Sequence, residues 1–195
     1  MLFTILAITA LSVFYGCYVV KMICQKRKGI TTDQMGKGKH GRVKAIELTV
    51  KAASILCLFV EILCIAFGTT MLPVWTRIVG TAVCGIGTAL FVTAVITMRD
   101  SWRAGVSETE KTQLVTTGIY AVSRNPAFLA FDLVYLGILL TFFHWALFAI
   151  TLLTIVMFHI QIVKVEEPFL RSAFGTEYEE YQSRVFRYLG RKLFE

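Results

Sequence analysis

The chain has 195 residues, of which 56% are hydrophobic, and a mean hydropathy of +0.66, well above the roughly 45–50% apolar share of soluble domains. This composition is that of a membrane protein, and the length leaves room for one helical bundle with no separate soluble catalytic domain. The net charge of +7 lies in loops beside apolar runs, the pattern of positive-inside loops in contact with anionic lipid headgroups, which argues against nucleic-acid binding.

Five spans are predicted, at about 2–23, 45–68, 72–98, 126–143 and 145–165, each near the ~20 residues a helix needs to cross a bilayer. The first has no basic leader and no small-residue cleavage site, so it reads as a retained helix rather than a signal peptide. The loop after it carries Lys21, Lys26, Arg27, Lys28, Lys37, Lys39, Arg42 and Lys44 against Asp33 alone. That bias places the loop in the cytoplasm and the N-terminus outside. Gly36-Lys37-Gly38-Lys39-His40-Gly41 lacks the phosphate-loop pattern and no strand precedes it, so it reads as a flexible basic loop on the lipid surface. A short uncharged turn at 69–73 joins the second and third spans outside, and 99–124 returns to the cytoplasm. The fourth and fifth spans form a hairpin with its turn near His144, and the tail from residue 164 is cytoplasmic. The result is a single all-α membrane domain, with an N-terminal two-helix part (1–70) and a core (71–195).

Cys17, Cys24, Cys57, Cys64 and Cys84 lie in or beside apolar spans without a Cys-x-x-Cys pair, and read as small buried residues rather than metal ligands or disulfides. Trp102, just after the third span, reads by default as an interfacial belt residue.

Chemistry concentrates near the cytoplasmic ends of the last hairpin. Pro126 suits the first turn of the fourth span, leaving Arg124 and Asn125 at its mouth beside the free amides of the helix start. The alternative is a helix cap and a headgroup anchor. Asp132 shares a helix face with Asn125 two turns on, and a carboxylate at that depth should face the bundle interior, lining a substrate cavity or pairing with a buried group. Glu61 invites the same argument. Glu166 and Glu167 end the fifth span and point about 100° apart, so one can face a site while the other meets loop or water. Carboxylates at a helix C-terminus oppose its dipole and need compensation. Beyond Phe174-Gly175 a short amphipathic helix is predicted, with Tyr178 and Tyr181 on one face and Arg184 and Arg187 at the same spacing; membrane-surface packing accounts for it, and a lid is the alternative.

The ordered pattern T-x-G-I-Y-x-x-S-R-N-P-x-F, hairpin, E-E-x-F-L, F-G-x-x-Y-x-x-Y resembles the isoprenylcysteine carboxyl methyltransferase and phospholipid methyltransferase superfamily over roughly residues 80–188. The resemblance implies S-adenosylmethionine as cofactor and a lipid-like acceptor entering from the bilayer. It places Tyr120, Arg124, Asn125 and Pro126 on the family's cofactor-contacting R-H-P region and Glu166 and Glu167 on its paired glutamates. Gly85 and Gly87 fall near its G-x-G, where glycine permits close approach of an adenosyl group, and Trp102 on a tryptophan common after the third span. Arg124 is then expected to orient acceptor or cofactor charge, Glu167 to serve as a base, and Asp132 and Trp102 to meet the substrate.

Asn125 stands where the family has histidine, so a histidine base at this position is excluded. The tail also lacks the family's proline-rich ending. A carboxylate acceptor needs only a cation, and an amine acceptor must first lose a proton, for which Glu167 or Asp132 is the candidate. Both isoprenylcysteine-type carboxylates and phospholipid amines stay open. A nicotinamide-dependent membrane reductase of the sterol type shares a similar hairpin, but prefers Asn-Tyr after the proline, where this chain has Ala127-Phe128. A non-catalytic scaffold of the same fold is the third reading. The expected host is a prokaryotic plasma membrane, or the endoplasmic reticulum if the source is eukaryotic; no metal is expected.

Overall fold

The computed structural model describes residues 1–106 and 112–192. Its α-helices are α1 (Leu2–Arg27), α2 (Gly41–Phe67), α3 (Val74–Met98), α4 (Pro126–Thr141), α5 (Trp145–Gln161), α6 (Glu167–Phe174) and α7 (Thr176–Arg184), and a π-helical turn at Ile162–Glu166 makes α5 and α6 continuous. Among the described residues, four segments are long and apolar enough to cross a membrane: Leu2–Arg27, Gly41–Phe67, Val74–Ser101 and Trp145–Phe174. The fourth predicted span is shorter. At 16 residues, α4 is about 24 Å long, against a hydrocarbon core of about 30 Å. It is sheltered by its neighbours, with Val134, Tyr135, Ile138 and Leu139 buried.

The main seam is between α3 and α4, with α2 packed on α5 and α1 on α3. Small residues set the α3–α4 distance. A Cβ at Gly137 would lie 2.5 Å from the Cys84 backbone nitrogen, one at Gly80 2.6 Å from the Gly137 carbonyl oxygen, and one at Gly87 2.9 Å from the Ala130 carbonyl oxygen. In lipid, where burial of apolar surface between helices gains little, such close approach supplies the packing that holds them together. By contrast α1 and α2 hardly touch. Outward-facing Ile5, Val20, Phe59, Ile78, Ile86 and Leu152 are exposed, as a lipid-facing surface requires.

The first loop is not a free basic surface. Glu47, fully buried, pairs with buried Lys39 and accepts from the Gly36 N–H at 2.7 Å. The expectation of flexibility fails here because a buried carboxylate needs a cation, and Lys39 supplies it. The loop also docks on the segment after α3: Gln34 N donates to Ala104 O (2.8 Å) and Ala104 N to Thr32 O (2.9 Å), while Gln25 Nε2, from the last turn of α1, donates to Trp102 O (2.9 Å).

At the other end, the fifth span does not stop at the paired glutamates. Pro168 has no N–H for the carbonyl four residues back, and its ring would crowd that carbonyl in a regular α-helix. The wider π turn just before it takes up this conflict, and the helix continues to Phe174. The glutamates therefore lie within a helix, so opposition to a C-terminal dipole does not arise. Gly175, at φ 53°, breaks the chain before α7. The tail then turns back: Phe186 N donates to Gly190 O (3.0 Å), Gly190 N to Val122 O (2.7 Å), and Arg124 N to Phe186 O (3.1 Å).

Candidate functional site

A cavity of about 370 Å³ lies among α1, α2, α4, α5, the α3–α4 connection and the C-terminal helices, within the usual range for small-molecule sites. Pro126 occupies the first turn of α4, as its fixed φ favours, and so sets the preceding residues at the cavity. Tyr120, Arg124, Asn125 and Glu166 all line it. Its apolar walls come from Phe128, Phe131, Tyr135 and Phe158. Phe131 packs edge-on to Phe158 with ring centroids 5.5 Å apart.

Arg124 is held from below. Its side chain is 6% exposed, and Nη1 lies 3.1 Å from Glu167 Oε1 and donates to the Tyr178 hydroxyl at 3.0 Å. Glu167, itself 4% exposed, also accepts both donors of Arg187: Nε to Oε1 at 2.9 Å and Nη2 to Oε2 at 3.0 Å. The hydrogen bond to Glu167 raises the Arg187 pKa above its ordinary value, keeping this group a cation. Asn125 Nδ2 donates to the Arg187 carbonyl at 3.0 Å, so the tail is tied at both backbone and side chain. The Tyr181 hydroxyl donates to the Tyr120 carbonyl at 2.6 Å. Burial pushes the phenols of Tyr120 and Tyr181 up, so both stay neutral hydrogen-bonding groups. One donor of this assembly is unspent: Arg124 Nε is buried without a partner among the described residues.

Residues 75–177 match the phospholipid methyltransferase family. The chain belongs to that family. It is an integral membrane methyltransferase. No curated protein matches the chain.

The match lies over the half of the chain that carries Arg124, Glu166 and Glu167. Other wall residues fall outside it, among them Tyr15, Asp33, Lys51 and Ile55 from the first two helices and their loop. The sequence-predicted residues divide. Tyr120, Arg124, Asn125, Pro126, Glu166 and Trp102 come together on the cavity. Trp102 is buried at 4% exposure, edge-on to Tyr18 at 5.3 Å, and so is a wall residue rather than a belt residue. Glu167 does not line the cavity; both its oxygens face guanidinium groups. Asp132 lies off it too, one position along the helix from Phe131. Gly85 faces open space outside the bundle, and Gly87 meets the α4 backbone.

Two features were missed. Arg187 closes the charge network from a tail segment 20 residues beyond Glu167, and nothing in its local spacing marks that contact. Lys51, paired with Asp33 on the cavity wall, lies on the second helix, where it reads as one more basic residue near the membrane surface. The loop's lone acid among eight basic groups was the available signal. Among the described residues, no His, Cys, Asp and Glu group has a metal-binding arrangement.

Proposed function

We propose that this chain is an S-adenosylmethionine-dependent methyltransferase acting on a lipid-like acceptor at the cytoplasmic membrane face. The observation that carries the reading is the meeting of Arg124 and Glu166 on one aromatic-walled cavity. That donor set fits the cofactor: a guanidinium N–H for its carboxylate, a carboxylate for its ribose hydroxyls or ammonium, and rings for its adenine and sulfonium. When bound, S-adenosylmethionine supplies an electrophilic methyl group that a nucleophile displaces in line.

The chain's own residues then hold and orient. Glu167, locked between Arg124 and Arg187, positions the Arg124 guanidinium instead of taking a proton. Tyr120, Asn125 and Pro126 shape the cofactor end; Gly85 and Gly87 take no part in it. Phe128, Phe131 and Trp102 exclude water from the reacting centre. Ile55 both lines the cavity and is 62% exposed on the outside of α2, so the wall reaches the lipid-facing surface and an acceptor can arrive from the bilayer. The exposed basic groups Lys26, Arg27, Lys37 and Lys44 meet anionic headgroups around the mouth.

Thermal unfolding of the detergent-purified protein with S-adenosylhomocysteine tests the proposal. At ~100 times its dissociation constant the ligand adds about 2.7 kcal/mol. The gain should vanish in Glu166→Gln and Arg124→Lys. Stabilisation by NADPH instead, or by neither ligand, overturns it.

A further inference from the structure

Glu61, about three-quarters of the way along α2, is fully buried and plays no part in the site above. Tyr15 of α1 and Tyr135 of α4 lie within electrostatic reach of it. Glu61 Oε1 and Oε2 are closed to solvent and have no hydrogen-bond partner among the described residues, while the equally enclosed hydroxyls of Tyr15 and Tyr135 have only each other within reach. Buried oxygens at bilayer depth that bond to nothing are costly, and intramembrane carboxyls mark binding or transfer pathways.

Their position says what passes them. Tyr15 and Tyr135 line the cavity. Tyr15 and Leu58 also line a second, almost wholly apolar groove of about 450 Å³, which runs up the loose α1–α2 seam past Ile62 and Ile65. Glu61 lies on α2 between Leu58 and Ile65, one helical turn from each. It is ten residues beyond Lys51, about 15 Å along the helix axis. A chain that begins in the cavity and runs into the groove must pass Tyr15. A saturated hydrocarbon there would leave both Glu61 oxygens unbonded and the tyrosine pair with no further partner.

We propose that Glu61, Tyr15 and Tyr135 form a recognition site for an uncharged oxygen, a hydroxyl or carbonyl, carried on the hydrophobic chain of the acceptor lipid. The hydroxyls and carboxyl supply both donors and acceptors, so either oxygen function is satisfied. The cluster thereby selects the acceptor by its chain, remote from the methylated end. The idea rests on the lipid-acceptor reading above, but its test does not need the cofactor.

The purified full-length protein is titrated with equimolar dioleoyl- and diricinoleoyl-phosphatidylethanolamine, which differ only by the chain hydroxyl, and retained lipid is read by native mass spectrometry. The wild type should retain the hydroxylated lipid about fivefold over its partner, the equivalent of one net hydrogen bond. Tyr15→Phe and Tyr135→Phe, which remove one oxygen each and keep the ring, should bring the ratio toward one, as should Glu61→Leu. Equal retention by the wild type, or an unchanged ratio in the two Tyr→Phe variants, overturns the proposal. Stabilisation by S-adenosylhomocysteine, measured on the same samples, reports separately on the methyltransferase reading.

Discussion

Replacing Glu167 by Gln keeps the side chain's shape and removes its charge. In the native network Oε1 takes Arg124 Nη1 at 3.1 Å and Arg187 Nε at 2.9 Å, while Oε2 takes Arg187 Nη2 at 3.0 Å. In the amide, whichever terminal atom becomes NH2 meets a guanidinium N–H, donor against donor. Arg124, with its side chain only 6% exposed, loses the anion it pairs with. Breaking a buried pair in this way costs about 3–5 kcal/mol. At about 2–4 °C per kcal/mol for a chain of this size, the melting temperature should fall on the order of 10 °C. The assay is thermal unfolding in detergent, followed by tryptophan fluorescence. Adding Arg187→Gln removes the opposed donor, so the double variant should recover part of the loss, with a coupling of about 0.5–3 kcal/mol. A residue acting solely as a base would lose turnover and keep stability. A single variant within about 1 kcal/mol of wild type, or additive losses in the double, would refute the positioning role.

Other perturbations separate packing from binding. Gly137→Ala drives a methyl group to 2.5 Å from the Cys84 backbone nitrogen and should cost about 1–3 kcal/mol in thermal unfolding. Gly85→Ala, which meets nothing within 4 Å, should change stability by less than about 1 kcal/mol and leave S-adenosylhomocysteine binding intact. Lys39→Met strands the fully buried Glu47 carboxylate and should cost about 3–5 kcal/mol, seen in the same melt. Asp132→Asn, off the cavity, should retain the full response to S-adenosylhomocysteine in a thermal-shift titration.

Much of the fold follows from signals that are local in the chain. Apolar length marks the spans, Pro126 the start of α4, His144 the hairpin turn and Gly175 the break before α7. The gathering of Arg124, Asn125 and Glu166 on one cavity follows from a short hairpin that returns its two ends to one level. What the sequence hides is contact between distant segments. Arg187 on Glu167, Lys39 on Glu47 and Trp102 on Tyr18 each join elements whose spacing along the chain carries no period. The roles of the two adjacent glutamates were hidden for a different reason. Whether Glu166 or Glu167 faces the cavity depends on helix phase, and a π turn directly before them shifts that phase by an amount residue counting does not register.

The glycine seam between α3 and α4 has a kinetic consequence. Helices whose backbones meet without intervening side chains cannot slide or part without losing all their mutual contact at once, so this pair is expected to move as one rigid body. The loose boundary between α1 and α2 has no such constraint. On the proposed function, exchange of a bulky lipid acceptor is then gated on one flank only, and a disulfide stapling α1 to α2 should slow turnover while leaving cofactor affinity untouched, whereas one across α3 and α4 should change neither.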